Sequence, residues 1–285
     1  MCTLVEALMT SGMLIASEPN RDRSPVAMNT RIVLDDFPVA DNHCFAFPPQ
    51  ASKIAKEDFV RLFAVGGFSV SGTKAQVEPE RALEQVRSAV SFKYAVKLLS
   101  QFFGCKNDLD SVVDARNRRS REFPKYVREL FDSVRLQTLL IDSGFEPVSV
   151  DEFKTYVPAR IGRIFRIEPI VKQVLETEGT FNGLLAKFDE GLLAAVRDGC
   201  LGFKTIIAYR TGIDIKFVTE EDAKTEFERM IRERGPTAWF GPLVKKLRDY
   251  LVRRTVETCI KCDKVMQIHT GLGDTDVVGS KCNPI

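Results

Sequence analysis

The chain has 285 residues, 44% of them hydrophobic, and carries 41 Lys and Arg against 39 Asp and Glu, a net charge of +2. That length suits one α/β barrel or two smaller domains with a sizeable core, and the near balance of charge leaves no global field to recruit nucleic acid or an anionic membrane. No apolar run approaches the roughly 20 residues of a membrane span, so the expected class is soluble and globular, with a small molecule as partner.

In chain order, residues 1–30 read as an N-terminal extension. The apolar stretch Leu4 to Ile15 carries Glu6 and has no basic residue before it, which makes a poor signal peptide. Pro19 to Pro25 reads as linker. Residues 31–285 are the expected main domain. Its first strand runs from Pro38 to Cys44, with Asp41 and His43 on one face, and Pro48-Pro49 ends it. Residues 53–134 are helical by period and too long for one crossover, so they read as a helical insertion or lid after strand one. One amphipathic patch gathers Phe59, Leu62, Phe63 and Val65, a long stripe runs from Ala82 to Phe103, Asp108 caps a third helix, and Phe123 to Val134 stripes a fourth. The basic run Arg116, Arg118, Arg119 and Arg121 reads as a solvated helix face.

From residue 136 the pattern becomes regular. Strands are expected over Leu136 to Asp142, Ile161 to Glu168, Leu201 to Ala208 and Val265 to His269. Helices are expected between them over Val150 to Tyr156, Ile170 to Val196, Glu220 to Arg232 and Leu243 to Thr258. Strand, helix, strand in repetition implies parallel pairing with right-handed crossovers. The fold class is therefore α/β, a partial (β/α)8 TIM-type barrel of about five parallel strands.

In such a barrel, chemistry gathers at the carboxyl ends of the strands. Those ends carry His43, Asp142, Arg166 with Glu168, Lys204, and His269. Strand parity places Asp142 on the face of Thr138 and Leu140, Arg166 and Glu168 on the face of Ile164, and Lys204 on the face of Gly202 and Ile206. The structural alternatives are a buried salt bridge between Glu168 and Lys204, or an Asp142 that caps the following loop. Two imidazoles with carboxylates and a lysine on one rim can build a divalent metal site, zinc first and manganese second, which activates water for amide or ester hydrolysis.

Seven cysteines, an odd number in no framework spacing, suggest reduced thiols and a cytoplasmic location. Cys259 and Cys262 form a lone CxxC, which reads as two small residues at a helix end. Gly271 and Gly273 form a lone GxG, a weak signal for phosphate binding.

The segments Asp41-Asn42-His43-Cys44, Gly202-Phe203-Lys204-Thr205-Ile206-Ile207-Ala208-Tyr209-Arg210-Thr211-Gly212 and His269-Thr270-Gly271-Leu272-Gly273-Asp274 together resemble the amidohydrolase-related metal-dependent hydrolases. Within them they resemble the barrel that some proteins fuse to a glutamine-synthetase-like domain. The resemblance implies a (β/α)8 barrel that hydrolyses C–N or C–O bonds with a bound divalent metal. It implies His43 and His269 as metal ligands, Asp142, Glu168 and Lys204 as catalytic groups, and Arg166, Tyr209 and Arg210 as substrate contacts. Lys204 stands where some relatives carry a carboxylated bridging lysine, and a plain ammonium pairing a substrate carboxylate is the other reading. Two departures stand out: Phe45 replaces the second histidine of the family's HxH motif, and the sequence ends just past strand five. The expectation is a truncated chain, completed in one reading by another copy as a homo-oligomer. The alternative to an enzyme is a non-catalytic barrel fragment acting as a binding or assembly module.

Overall fold

The computed structural model describes residues 37–63, 79–235, 239, 244–271 and 277–284. The expected extension and linker, Val65, Leu243, and the Leu272-Gly273-Asp274 end of the last loop lie outside these residues. Five strands form one sheet in the order β1 (Val39–Cys44), β2 (Leu136–Asp142), β3 (Arg160–Arg166), β4 (Gly202–Thr205) and β5 (Val265–Ile268). β3 pairs with β4, and β4 with β5, in parallel; Arg166 stands opposite Lys204, and Lys204 opposite Gln267. Sequential strand order means that each crossover steps the same way, as in a (β/α)8 barrel, whereas a doubly wound sheet reverses its order midway. The α/β class and the partial-barrel architecture follow from that order.

Ten α-helices appear among the described residues: α1 (Lys56–Arg61), α2 (Pro79–Ser88), α3 (Val90–Phe103), α4 (Leu109–Arg119), α5 (Phe123–Ser133), α6 (Val150–Lys154), α7 (Glu168–Thr177), α8 (Phe181–Arg197), α9 (Glu220–Arg234) and α10 (Lys245–Cys262). The helix expected over Ile170 to Val196 is two. Thr180 sits in extended backbone between them, and its hydroxyl accepts from the Gly183 amide to cap α8. The stripe from Ala82 to Phe103 is likewise interrupted at Ala89, which is extended and starts α3.

Contact clustering divides the chain into two compact units. Unit 1 comprises Met1–Phe63, Gln85–Leu139 and Val148–Ile161. In it, Arg116 of α4 is buried rather than solvated, because its guanidinium donates to the carbonyls of Ser52 at 2.7 Å and Gln50 at 2.8 Å. Asn117 adds a reciprocal pair with the backbone of Ile54, both bonds 3.0 Å. Together they clamp the segment that follows β1 onto the helix. Arg118 and Arg121 are exposed, as the solvated-face reading expects, and the part-exposed Arg119 pairs with Glu129 and lies 5.3 Å from the Phe102 ring centroid.

Unit 2 comprises Ala64–Glu84, Leu140–Pro147 and Gly162–Ile285. Its core is built by Ile170, Val171 and Val174 of α7, Leu184, Phe188 and Leu192 of α8, Phe227 of α9, Leu247, Leu251 and Val252 of α10, and Phe203 of β4. Phe203 shows which side of β4 the helices cover. Its neighbours Gly202 and Lys204 must then face the other way. Gly202 is needed where β4 and β5 approach, because a Cβ there would lie 2.7 Å from the Val265 carbonyl oxygen.

β3 and β4 are shorter than the sequence suggests, for one shared reason. β3 stops at Arg166, and Glu168 opens α7 with Pro169 in its first turn, where a missing amide costs nothing. The Glu168 carboxylate then accepts from the Ile206 amide at 2.8 Å, and the Thr205 hydroxyl takes the Ile207 amide at 3.1 Å. With those two amides captured by side chains, the chain leaves β4 at Thr205 and turns into a single 3-10 turn, Ile207–Tyr209.

Candidate functional site

The sheet register assembles a polar row on the face of β2, β3 and β4 that looks away from the helices of unit 2. Asp142 ends β2 and is 1% exposed. Its Oδ1 accepts from the Gly144 amide at 2.8 Å, so the loop-capping alternative is realised. Its Oδ2 accepts from Arg166, with Nε at 3.1 Å and Nη2 also in contact, and forms an ion pair with Lys204 Nζ at 3.2 Å. Lys204, fully buried, thus pairs with Asp142, not with Glu168. Asp142 is thus shared by two cations. Arg166 is packed over Gly144, where a Cβ would meet the guanidinium at 2.2 Å. Gln267 of β5 stands opposite Lys204 and extends the row by register.

His269 follows β5 and continues its ladder, its amide donating to the Thr205 carbonyl at 3.1 Å. The imidazole is buried and lies 4.7 Å from the Tyr209 ring, centroid to centroid. The structure thus brings Tyr209 to His269, two residues singled out for different roles. The Gly271 amide donates to the Cys282 carbonyl at 2.8 Å and the Ile213 amide to the Lys281 carbonyl at 2.9 Å, which tie the loops after β5 and β4 to the segment at residues 277–284. His43 belongs to unit 1; it is exposed near the end of β1, and its amide donates to Asp41 Oδ1 at 2.9 Å.

Glu168 lies on the other, helix-facing side of β4. Its Oε1 accepts from Thr205 Oγ1 at 2.6 Å and from the Ile206 amide. Burial pushes its carboxyl above the ordinary range, and those two hydrogen bonds pull it back only in part. It lines a cavity of about 320 Å³ with Thr205, Ile207, Arg210, Trp239 and Arg248. Arg248 and Trp239 escaped sequence reasoning. A signal existed: Arg248, Val252, Thr255 and Cys259 fall on one buried stripe of α10, and an arginine on such a stripe is unusual.

The described side chains of unit 2 do not gather into a metal site. Among the described residues no three His, Cys, Asp or Glu side chains gather closely enough to hold one. Asp142 is committed to two cations, and a metal beside it would meet both like charges. Cys259 and Cys262 are free thiols in the last turn of α10, and burial pushes the Cys259 thiol up to about 11, opposite to what a reactive or ligating cysteine needs. No described helix is long and apolar enough to cross a membrane.

No family model matches the chain. Protein fluG of Emericella nidulans is 28% identical over 287 residues, covering 89% of this chain and 31% of that protein. A solved structure described as a "putative metal-dependent hydrolase" from Lactobacillus casei ATCC 334 superposes with a TM-score of 0.70 at 22% identity, over 88% of this chain and 62% of that one. The chain thus spans about a third of the curated relative and under two thirds of the solved one. The resemblance read from the sequence holds at the level of fold: this chain is built like part of that hydrolase-titled barrel.

Proposed function

We propose that this chain is part of a hydrolase that cuts C–N or C–O bonds in small anionic molecules, working from the row Asp142, Arg166 and Lys204. The observation that carries the reading is the charge arrangement at the ends of three adjacent strands: one buried carboxylate held between a buried lysine and a part-buried arginine. Two cations side by side at the strand ends suit a substrate carboxylate. Arg166 offers a planar fork to such a group and Lys204 a point charge. Asp142 fixes both in place and is the carboxylate nearest a bound substrate. Tyr209 and Arg210 flank the row from the 3-10 turn. Glu168 stands on the opposite side of β4 and enters the proposal as the neighbouring titratable group.

The likeness of fold to a hydrolase-titled protein supports the reaction class, and barrel strand ends support the place. His43 in unit 1 and His269 in unit 2 are each proposed, separately, as an imidazole donor to a divalent metal, zinc first and manganese second. No chemical step is routed through that metal, because unit 2 does not supply a donor set for it. The test is turnover of a panel of N-acyl amino acids and carboxylate esters by the purified chain, with and without added zinc or manganese, alongside bound metal after dialysis. Turnover of the acids that Lys204→Met lowers at least tenfold is expected; an inert panel would refute the hydrolase reading, and a metal content of zero would remove the histidine assignment.

A further inference from the structure

Arg248 is the least expected side chain in unit 2. It is 3% exposed, sits on the buried stripe of α10, and among the described residues none of its three guanidinium nitrogens has a hydrogen-bond partner. Its close companion among those residues is Trp239, whose ring centroid lies 4.8 Å from the guanidinium carbon. A buried cation with five open donors is costly, so an arginine held there without a partner points to one that arrives from outside. Across the same cavity, Glu168 Oε2 is also buried without a hydrogen-bond partner among the described residues. Between these two polar ends the walls are apolar: Val171, Ile207, Leu251 and Val252.

We infer that this helix-side cavity is a binding site for a small organic acid, whose carboxylate docks on Arg248 and whose hydrocarbon part lies along the apolar wall. A polar substituent on the acid reaches Glu168 Oε2. The planar guanidinium fork matches a carboxylate with two parallel hydrogen bonds, and the size of the cavity, about 320 Å³, holds a molecule of a few to a dozen heavy atoms. Burial, and after it the field of Arg210 on the cavity wall, draws Arg248 down to about 10 against the opposing pull of Glu168, Glu226 and Asp249. Arg248 still remains a cation at neutral pH. Arg166 and Gly144 line the same cavity, so it borders the row at the strand ends; binding of an acid at Arg248 does not depend on the hydrolase reading.

Trp239 is the only tryptophan in the sequence, so its fluorescence reports on this cavity directly. The experiment titrates the whole chain with 3-methylbutanoate, its 2-hydroxy derivative, the neutral amide 3-methylbutanamide, and inorganic phosphate. Expected are saturable fluorescence changes with both acids at low-millimolar concentration, tighter for the hydroxy acid, and no saturation with the amide. Arg248→Met should abolish the response while the free protein melts at the same temperature or higher, because a buried unpaired charge has been replaced by an apolar chain of similar length. Arg248→Lys should keep the fold and weaken the response at least tenfold, having lost the fork. The inference is overturned if neither acid saturates, if the amide or phosphate alone does, if R248M responds like the parent, or if R248M melts lower or fails to fold, which would make Arg248 a structural group.

Discussion

Replacing Asp142 by asparagine should be the most destabilising single change of one atom in unit 2. Asp142 is 1% exposed and is the shared anion of Arg166, whose side chain is 15% exposed, and Lys204, at 1%. The amide side chain of D142N could still accept from Gly144, but it would leave two buried cations facing each other across a neutral group. Removing one partner of a buried ion pair costs about 3–5 kcal/mol, against a total stability of about 5–15 kcal/mol. With a urea slope of roughly 2–3 kcal/mol/M, the unfolding midpoint should fall by roughly 1–2 M. Lys204→Met gives the contrast. It removes a fully buried ammonium, leaves Asp142 paired with Arg166, and nearly conserves volume, so its effect should be clearly smaller than that of D142N. Urea melts followed by circular dichroism decide the matter. A D142N midpoint within error of the parent, or a K204M loss as large as that of D142N, would refute the charge arrangement.

Glu168→Gln tests the burial of the other carboxylate by pH. The folded-state carboxyl is raised above its unfolded value, so the native state holds its proton longer, and its contribution to stability is present in acid and lost as pH rises through the folded value. E168Q should therefore melt at a higher temperature than the parent at pH 8, with the gap closing as pH falls to the ordinary carboxylate range; a gap that widens in acid would contradict this. Gly202→Ala tests the approach of β4 to β5. Its Cβ would lie 2.7 Å from a backbone oxygen that can move only with β5, so a loss of about 1–3 kcal/mol is expected in the same melts, and a neutral G202A would mean that the two strands sit further apart.

The strands were legible because each is a short run of apolar residues closed by polar ones, and β2 runs over the residues the pattern predicts, Leu136–Asp142. Parity alone put Asp142, Arg166 and Lys204 at strand ends with a common orientation, and they do meet. Which carboxylate Lys204 would choose was not legible. That depended on whether the chain after Arg166 continued as strand or turned into helix, a choice made by Pro169 and by the capture of the Ile206 amide across strands. Arg248 was hidden for a different reason. In Lys245-Lys246-Leu247-Arg248-Asp249 charge is dense enough to look like a solvated helix turn, and only the helical phase set by Val252, Thr255 and Cys259 separates the buried arginine from the exposed Lys246. The basic run at Arg116 misled in the same way, since its first member points into unit 1 and clamps two carbonyls.

Selection of an anionic substrate by Arg166 and Lys204 is tested most directly by comparing a substrate with and without one charge. Initial rates should be measured for an N-acyl amino acid and for its C-terminal amide, in the parent and in K204M. The account predicts that the parent prefers the acid by at least tenfold in kcat/KM, about 1.4 kcal/mol of differential binding in the transition state, and that K204M loses most of that preference. A parent that turns over the neutral amide as fast as the acid, or a K204M that keeps the full preference, would contradict it.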